Sequence, residues 1–378
     1  MGSENTVTID GQTFAYNPGE TILEVAQRNG IEIPTLCYLK GAAPSGACRI
    51  CVVEVEGARN LVASCAAPVG PNMVVKTDSE RVRRARKTNL ELLLASGHHN
   101  CLAQELDAET WSDFQLKALS PEEHREVCPA YGECRLQDLA IQYQVKGRHF
   151  TPTETPYPIE NVNPFIVRDF SRCILCGRCV QACNEIQVNN AISLGYRGSQ
   201  SKVVTKGDRA LKDSDCVFCG ECVQACPVGA LIPKKALEEG CLPLEAEKIR
   251  TTCTYCGVGC QLYLHVKEGR VVRVTGVEGL GPNYGSLCVK GRFGYDFIND
   301  SNRLKRPLIK ENGSFREASW EEALDKVADS LSAVKAEAGP DAVGVLSSAR
   351  ITNEENYLAQ KFTRAVIGTN NIDHCARL

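Results

Sequence analysis

Residues 173–183 and 216–226 carry one arrangement twice, C-x2-C-x2-C-x3-C, at Cys173, Cys176, Cys179 and Cys183 and again at Cys216, Cys219, Cys222 and Cys226. Internal duplication on this scale marks two copies of one structural unit. Two-residue gaps let three thiols converge on one face of a small cube, with backbone N–H groups turned toward it. Gly177 and Gly220 stand at matching places and permit that close backbone approach. A zinc ion would want four thiolates in two well-separated pairs. The pattern points instead to two [4Fe–4S] cubanes. In paired runs of this kind the fourth cysteine ligates the other cluster. That assigns Cys173, Cys176, Cys179 and Cys226 to one cubane, and Cys216, Cys219, Cys222 and Cys183 to the other. Asn184 stands where the first run would usually carry proline.

The chain holds 21 cysteines in 378 residues. In a secreted protein they would read as disulfides, but Met1–Gly11 lacks the charged-then-apolar layout of a signal segment. A cytoplasmic protein is expected, with clustered cysteines as thiolate ligands. Aromatic residues are only 6%, so metal–thiolate bonds would replace part of a thin core. A net charge of −3 gives no reason to expect nucleic acid, and no stretch approaches the ~20 apolar residues of a membrane span.

Three further cysteine sets have other spacings. Cys37, Cys48, Cys51 and Cys65 have gaps of ten, two and thirteen, a wider first gap than the plant-type C-x4-C-x2-C pattern. With Gly46 and the strand pattern around it, this segment resembles the [2Fe–2S] domain at the front of the large subunit of respiratory NADH dehydrogenase and of iron hydrogenases. Cys253, Cys256 and Cys260, with Cys288 after a gap of twenty-seven, resemble the [4Fe–4S] domain that opens molybdenum and tungsten bis-pterin oxidoreductases. That resemblance gives Lys290 the role of electron relay between cluster and pterin. Cys101, Cys128 and Cys134 resemble the [4Fe–4S] site held by one histidine and three cysteines, and Gln137-Asp138-Leu139 fits the segment just after the last of those cysteines. Here twenty-six residues separate Cys101 from Cys128, and Gly97 occupies the expected histidine position. His99, or His98 beside it, is then the implied ligand. Cys241 reads as a packed thiol, and Cys375 belongs to none of these sets.

The segments between these sets suggest an α+β multidomain chain. Val7, Ile9, a turn at Asp10-Gly11, then Phe14 and Tyr16 form a hairpin signature. A helix over Thr21–Asn29 and strands at 52–55 and 73–75 complete a β-grasp. Thr77-x-x-Glu80 reads as a capping box for a helix with Val82, Leu90 and Leu94 on its apolar side. Strands flank Gly269. Beyond them Ser319 caps a helix whose buried side is expected to carry Leu324, Val327, Leu331 and Val334. A strand at 342–346, a helix capped by Thr352 and a strand at 371–373 make a β-α-β pattern and a parallel sheet. The expected domains are a β-grasp [2Fe–2S] domain (1–78), a one-His/three-Cys domain (79–150), a linker (151–164) and a duplicated ferredoxin-like domain (165–245). After these come a [4Fe–4S] domain (246–302) and the start of a Mo/W-bis-pterin α/β domain (303–378).

The last residues, 371–378, resemble the segment just before the catalytic residue of formate dehydrogenase. There Cys-Ala-Arg and one apolar residue lead to a metal-ligating selenocysteine or cysteine, so this position is expected directly after Leu378, at a misread selenocysteine codon. Taken together, these resemblances identify the chain as similar to the front of a molybdenum/tungsten formate dehydrogenase catalytic subunit of the NAD-linked, multi-cluster type. They imply one [2Fe–2S] and four [4Fe–4S] clusters and, in the complete protein, Mo- or W-bis(pterin guanine dinucleotide). They also imply oxidation of formate to CO2 and a flavin/NAD-binding diaphorase-type or hydrogenase subunit as partner. A complex I large subunit leaves the duplicated run unexplained, and an iron hydrogenase would need its own cysteine motifs in place of the Cys253 set. A non-catalytic electron-transfer protein is the remaining reading.

Overall fold

The computed structural model describes residues 5–97, 99, 128–145, 150 and 157–375. It divides into two compact units, Met1–Ala246 and Glu247–Leu378. Cys101 and His98 lie outside the described residues, as does part of the expected linker.

The first unit opens with the hairpin β1 (Thr6–Ile9) and β2 (Gln12–Ala15), turned at Asp10 and Gly11 with φ of 48° and 83°. Asp10 also fixes the next crossing, because its carboxylate accepts from Thr77 N (2.8 Å) and Thr77 Oγ1 (2.5 Å). Thr77 is therefore a strand-end tie and not the helix cap expected from sequence. Helix α1 (Ile22–Arg28) has the full capping box, Thr21 with Glu24, and buries Ile22, Leu23, Val25 and Ala26. Strands β3 (Val52–Val55), β4 (Val62–Ala63) and β5 (Met73–Lys76) complete a sheet in the order β2-β1-β5-β3-β4. In it β1 and β5 run parallel, the β-grasp arrangement.

Helix α2 (Glu80–Ala95) is capped by Ser79, whose hydroxyl accepts from Val82 N. It buries Val82, Leu90 and Leu94 against a core shared with α3 (Arg135–Gln142). Arg86 on α2 is only 2% exposed, and it donates to Tyr143 Oη and Val52 O, both at 2.9 Å. One guanidinium thus joins three segments of chain. Arg86→Ala would strip both acceptors of their donor, at about 2–4 kcal/mol. Faster hydrogen exchange of the α2 amides is expected, and unchanged exchange would show that packing alone holds the helix.

Strand β6 (Ile166–Arg168) leads into the repeat. The repeat comprises α4 (Arg178–Gln181), the hairpin β7 (Ile192–Gly195) with β8 (Lys202–Thr205), α5 (Glu221–Ala225), and β9 (Leu231–Pro233), which pairs back to β6. Helix α6 (Lys234–Glu238) closes the unit.

The second unit begins with the antiparallel sheet β10 (Glu247–Thr252), β11 (Gln261–Lys267) and β12 (Arg270–Gly276), followed by the short helix α7 (Val289–Phe293). After the hairpin β13 (Leu308–Glu311) and β14 (Ser314–Glu317) comes α8 (Trp320–Ala338), capped by Ser319 as expected. Strand β15 (Val345–Ser347), helix α9 (Asn353–Lys361) with its Thr352–Glu355 capping box, and β16 (Ile372–His374) form the parallel β-α-β element. The expected burial along α8 is not found. Trp320, Leu324, Val327 and Val334 are 69%, 60%, 54% and 41% exposed. An amphipathic stripe is buried only where a second layer lies over it, and a pair of three-residue strands is too narrow to cover nineteen residues of helix.

Candidate iron–sulfur centres

The two copies of the repeat adopt the same backbone over their first three cysteines. Leu175 and Phe218 both take left-handed φ (52° and 54°), and Gly177 and Gly220 follow at 78° and 72°. Alternation of this kind turns successive N–H groups inward and makes an anion-binding concavity. Phe218 N lies 3.4 Å from Cys216 Sγ, and the Leu175 amide likewise faces Cys173 sulfur. The two non-glycine residues accept an uncommon conformation that the sequence pattern did not reveal.

Cys173, Cys176, Cys179 and Cys226 line one cavity of about 40 Å³ together with Cys222, walled by Phe170, Ile192, Val203 and Leu231. A single water needs ~10–15 Å³, so the space exceeds that of one water. Burial pushes the Cys173 thiol up to about 11 and Cys176 to about 12, and raises Cys179 as well, with Cys226 among their charged neighbours. Cys216 is raised by burial too, and its thiol neighbours are Cys219 and Cys183. Four buried thiols that resist ionisation need positive charge at their centre to be held as thiolates, which iron supplies. Among the described residues no three His, Cys, Asp or Glu side chains meet closely enough to hold a single metal ion.

The β-grasp cysteines form two close pairs. Cys48 donates to Cys37, pulling the Cys37 thiol down to about 5, and Cys65 donates to Cys51, pulling that thiol down to about 6. The Cys48 amide also faces Cys37 Sγ at 3.5 Å. Two pairs of buried thiols suit a two-iron cluster, one pair to each iron.

Cys134 is buried at the head of α3, and Cys128 Sγ stands 3.2 Å from where a Cβ on Gly229 would be. His99 lies beside the Gly97–Ser171 contact. A Cβ on Gly97 would fall 2.2 Å from Ser171 O, so no histidine fits at 97. Asp169 N to Ala230 O (2.9 Å) joins the two loops that His99 and Cys128 touch.

In the second unit Cys253 N binds Cys260 O (2.8 Å), closing the loop that carries Cys256. Asn283, unnoticed in the sequence, accepts from Gln261 N (2.8 Å) and donates to Gln261 O (3.1 Å) and Ser286 O (2.9 Å). It thereby ties the loop holding Cys288 to the end of the Cys260 loop. Cys253 and Cys260 are raised by burial and each feels the charge of Cys256 and Cys288. Helix α7 backs onto them, with Gly291 against Cys253 Sγ, and Lys290 is exposed on the same helix. Further along, Ser347, Ser348, Asn356, Tyr357, Asp373 and His374 line an open polar hollow of about 420 Å³ at the carboxyl ends of the parallel β15 and β16. That end of an open α/β sheet is where ligands bind. Cys241 is a buried thiol, as expected, while Cys375 is exposed and 3.7 Å from Ser348 Oγ.

Comparison with known proteins finds four matching family models along the chain. Residues 3–80 match the 2Fe-2S iron–sulfur cluster binding domain, 172–230 the 4Fe-4S dicluster domain, 246–300 the molybdopterin oxidoreductase Fe4S4 domain and 303–378 the molybdopterin oxidoreductase domain. Relatives from Staphylococcus aureus strains USA300 and NCTC 8325, each named "Putative formate dehydrogenase", are 32% identical over 100% of this chain and 39% of their own. The chain carries iron–sulfur domains and the start of a molybdopterin oxidoreductase domain, and is similar along its whole length to these relatives. It spans about two fifths of the length of these curated relatives. The chain is also similar to a chain of a solved NAD+-reducing [NiFe]-hydrogenase in its H2-reduced state. Identity there is 34% and the TM-score 0.52, covering 61% of this chain and 88% of that one. Among the described residues no helix is long and apolar enough to cross a membrane.

Proposed function

We propose that this chain is the electron-transferring part of a formate dehydrogenase. It would hold one [2Fe–2S] and four [4Fe–4S] clusters, with the domain limits given above. The observation that carries the reading is the gathering of Cys226, from the second run, with Cys173, Cys176 and Cys179 of the first around one cavity. The names of the relatives support formate as substrate, and the hydrogenase likeness supports an NAD-linked or hydrogenase partner.

When bound, the clusters supply one-electron carriers, and a Mo- or W-bis(pterin guanine dinucleotide) supplies the centre where formate yields CO2. The chain's own residues do the rest. Cys37, Cys48, Cys51 and Cys65 hold the two-iron cluster. His99 with Cys101, Cys128 and Cys134 would hold the mixed site, and Cys253, Cys256, Cys260 and Cys288 a further cubane. Lys290 places a cation on the helix that backs this last set. Apolar walls such as Phe170 and Val203 exclude water, and N–H groups directed at sulfur stabilise the reduced state.

Purified without oxygen from the cell that makes it, the protein is expected to carry about eighteen irons per chain in clusters. Formate should bleach their visible absorbance. Bleaching by dithionite but not by formate would remove the substrate assignment. Fewer than about four irons would remove the conduit itself.

A further inference from the structure

The two cysteine runs diverge after their fourth cysteine. Cys183 is followed by Asn184-Glu185, whereas Cys226 is followed by Pro227-Val228. Proline holds the residue before it extended and stops a helix there, and α5 ends at Ala225 with Cys226 at ψ 119°. Without that proline the first run continues from α4 into a π turn over Ala182–Ile186, in which Gln187 N binds Ala182 O at 2.9 Å. Wide turns of this kind often mark functional sites.

The added turn carries Glu185 out to the side of the helix where Gln181 stands, four positions earlier. Both side chains meet one residue of the β-grasp. Glu185 Oε2 accepts from Ala43 N at 2.7 Å, and Gln181 Nε2 donates to Ala43 O. The N–H and the C=O of a single residue are thus held together from one helix. Gln181 is 9% exposed, so its bond is shielded from water. Beside them, Ile186 Cδ1 stands 3.5 Å from where a Cβ on Gly41 would be. Gly41 takes φ of 86° and Ala42 N binds Leu39 O at 3.2 Å, so a tight turn presents Ala43 to the helix. The loop is closed at its base, where Cys48 N faces Cys37 Sγ at 3.5 Å. The ten-residue gap that departs from the plant-type spacing supplies the chain for this reach.

We propose that Gln181 and Glu185 are positioning residues, which clasp Ala43 and so fix the spacing between the [2Fe–2S] centre and the Cys173–Cys176–Cys179 cubane. This inference rests on the reading above that both clusters are present. Gln181 lies between Cys179 and Cys183, and Ala43 between Cys37 and Cys48, so the clasp joins the two ligand loops directly. Cys37 and Cys48 also share a core with Cys176, against which Cys173 and Cys226 pack. Transfer of an electron between two centres slows steeply with their separation. A clasp that holds the loops together therefore governs the step between them without touching either cluster.

The test uses the whole chain, loaded with iron and sulfide without oxygen, reduced with dithionite and followed by electron paramagnetic resonance. In the unsubstituted chain the [2Fe–2S] signal should broaden as the neighbouring cubane is reduced, and Cys176→Ala should abolish the broadening. Gln181→Met, which keeps the volume but has no donor, combined with Glu185→Ala should lose the broadening at unchanged iron content. Glu185→Gln alone, which keeps an oxygen for Ala43 N, should retain it. Hydrogen exchange of residues 40–46 reads the clasp without reference to the clusters, and should be about tenfold faster in the double variant. Broadening and exchange both unchanged in the double variant would overturn the inference and leave the function standing. An unsubstituted chain whose loaded clusters show no mutual broadening would also overturn it alone. Absence of the [2Fe–2S] cluster and the cubanes from the unsubstituted chain would overturn inference and function together.

Discussion

Replacing Cys226 by alanine is expected to remove the cluster whose other ligands lie some fifty residues earlier, and to spare the one whose ligands lie beside it. Iron bound by the repeat should fall from about eight to about four per chain. The reason is geometric: Cys226 lines the cavity of Cys173, Cys176 and Cys179, while Cys183 neighbours Cys216. Paired substitutions make the test strict. Cys226→Ala with Cys173→Ala should cost no more iron than Cys226→Ala alone, because both remove the same centre. Cys226→Ala with Cys216→Ala should lose both centres. Such non-additivity is the mark of groups acting as one unit. The opposite pattern, with Cys183 coupled to Cys173, would mean that each run closes its own cluster.

Gly276→Ala should be as damaging to the second unit. A Cβ there would stand 1.8 Å from Gly285 O, 2.5 Å from its carbonyl carbon and 2.9 Å from its Cα. All three are backbone atoms, so no side-chain rotation relieves the contact. The cost should exceed the ~1–3 kcal/mol usual for overpacking. The displaced segment leads to Cys288, so about four irons should be lost from this unit while the first unit keeps its own. Gly344→Ala is the control, since the nearest atom there is Asn371 O at 4.0 Å. It should stay within about 0.5 kcal/mol of the parent. Equal iron content in the two variants would show that the 276–285 approach does not position Cys288.

The β-grasp hairpin at Asp10-Gly11 and the caps at Ser319 and Thr352 were legible, each decided within a few residues. Legibility failed where distant contacts decide. Thr77 and Ser79 are two residues apart and both plausible as caps. The partner that claimed Thr77 is Asp10, sixty-seven positions away. Asn283 carries no motif, yet three hydrogen bonds make it the tie between two cysteine loops. The periodicity of α8 was read correctly, but a stripe of leucine and valine states only that a face is apolar. Whether a layer covers it depends on elements that pattern alone does not place.

If the fourth ligands are exchanged as proposed, the first run is complete in sequence at Cys183, but its cavity gains its last wall only with Cys226 and β9. A nascent chain arrested between the two runs would then expose three thiols with no closing donor, and cluster delivery would follow synthesis of residue 226.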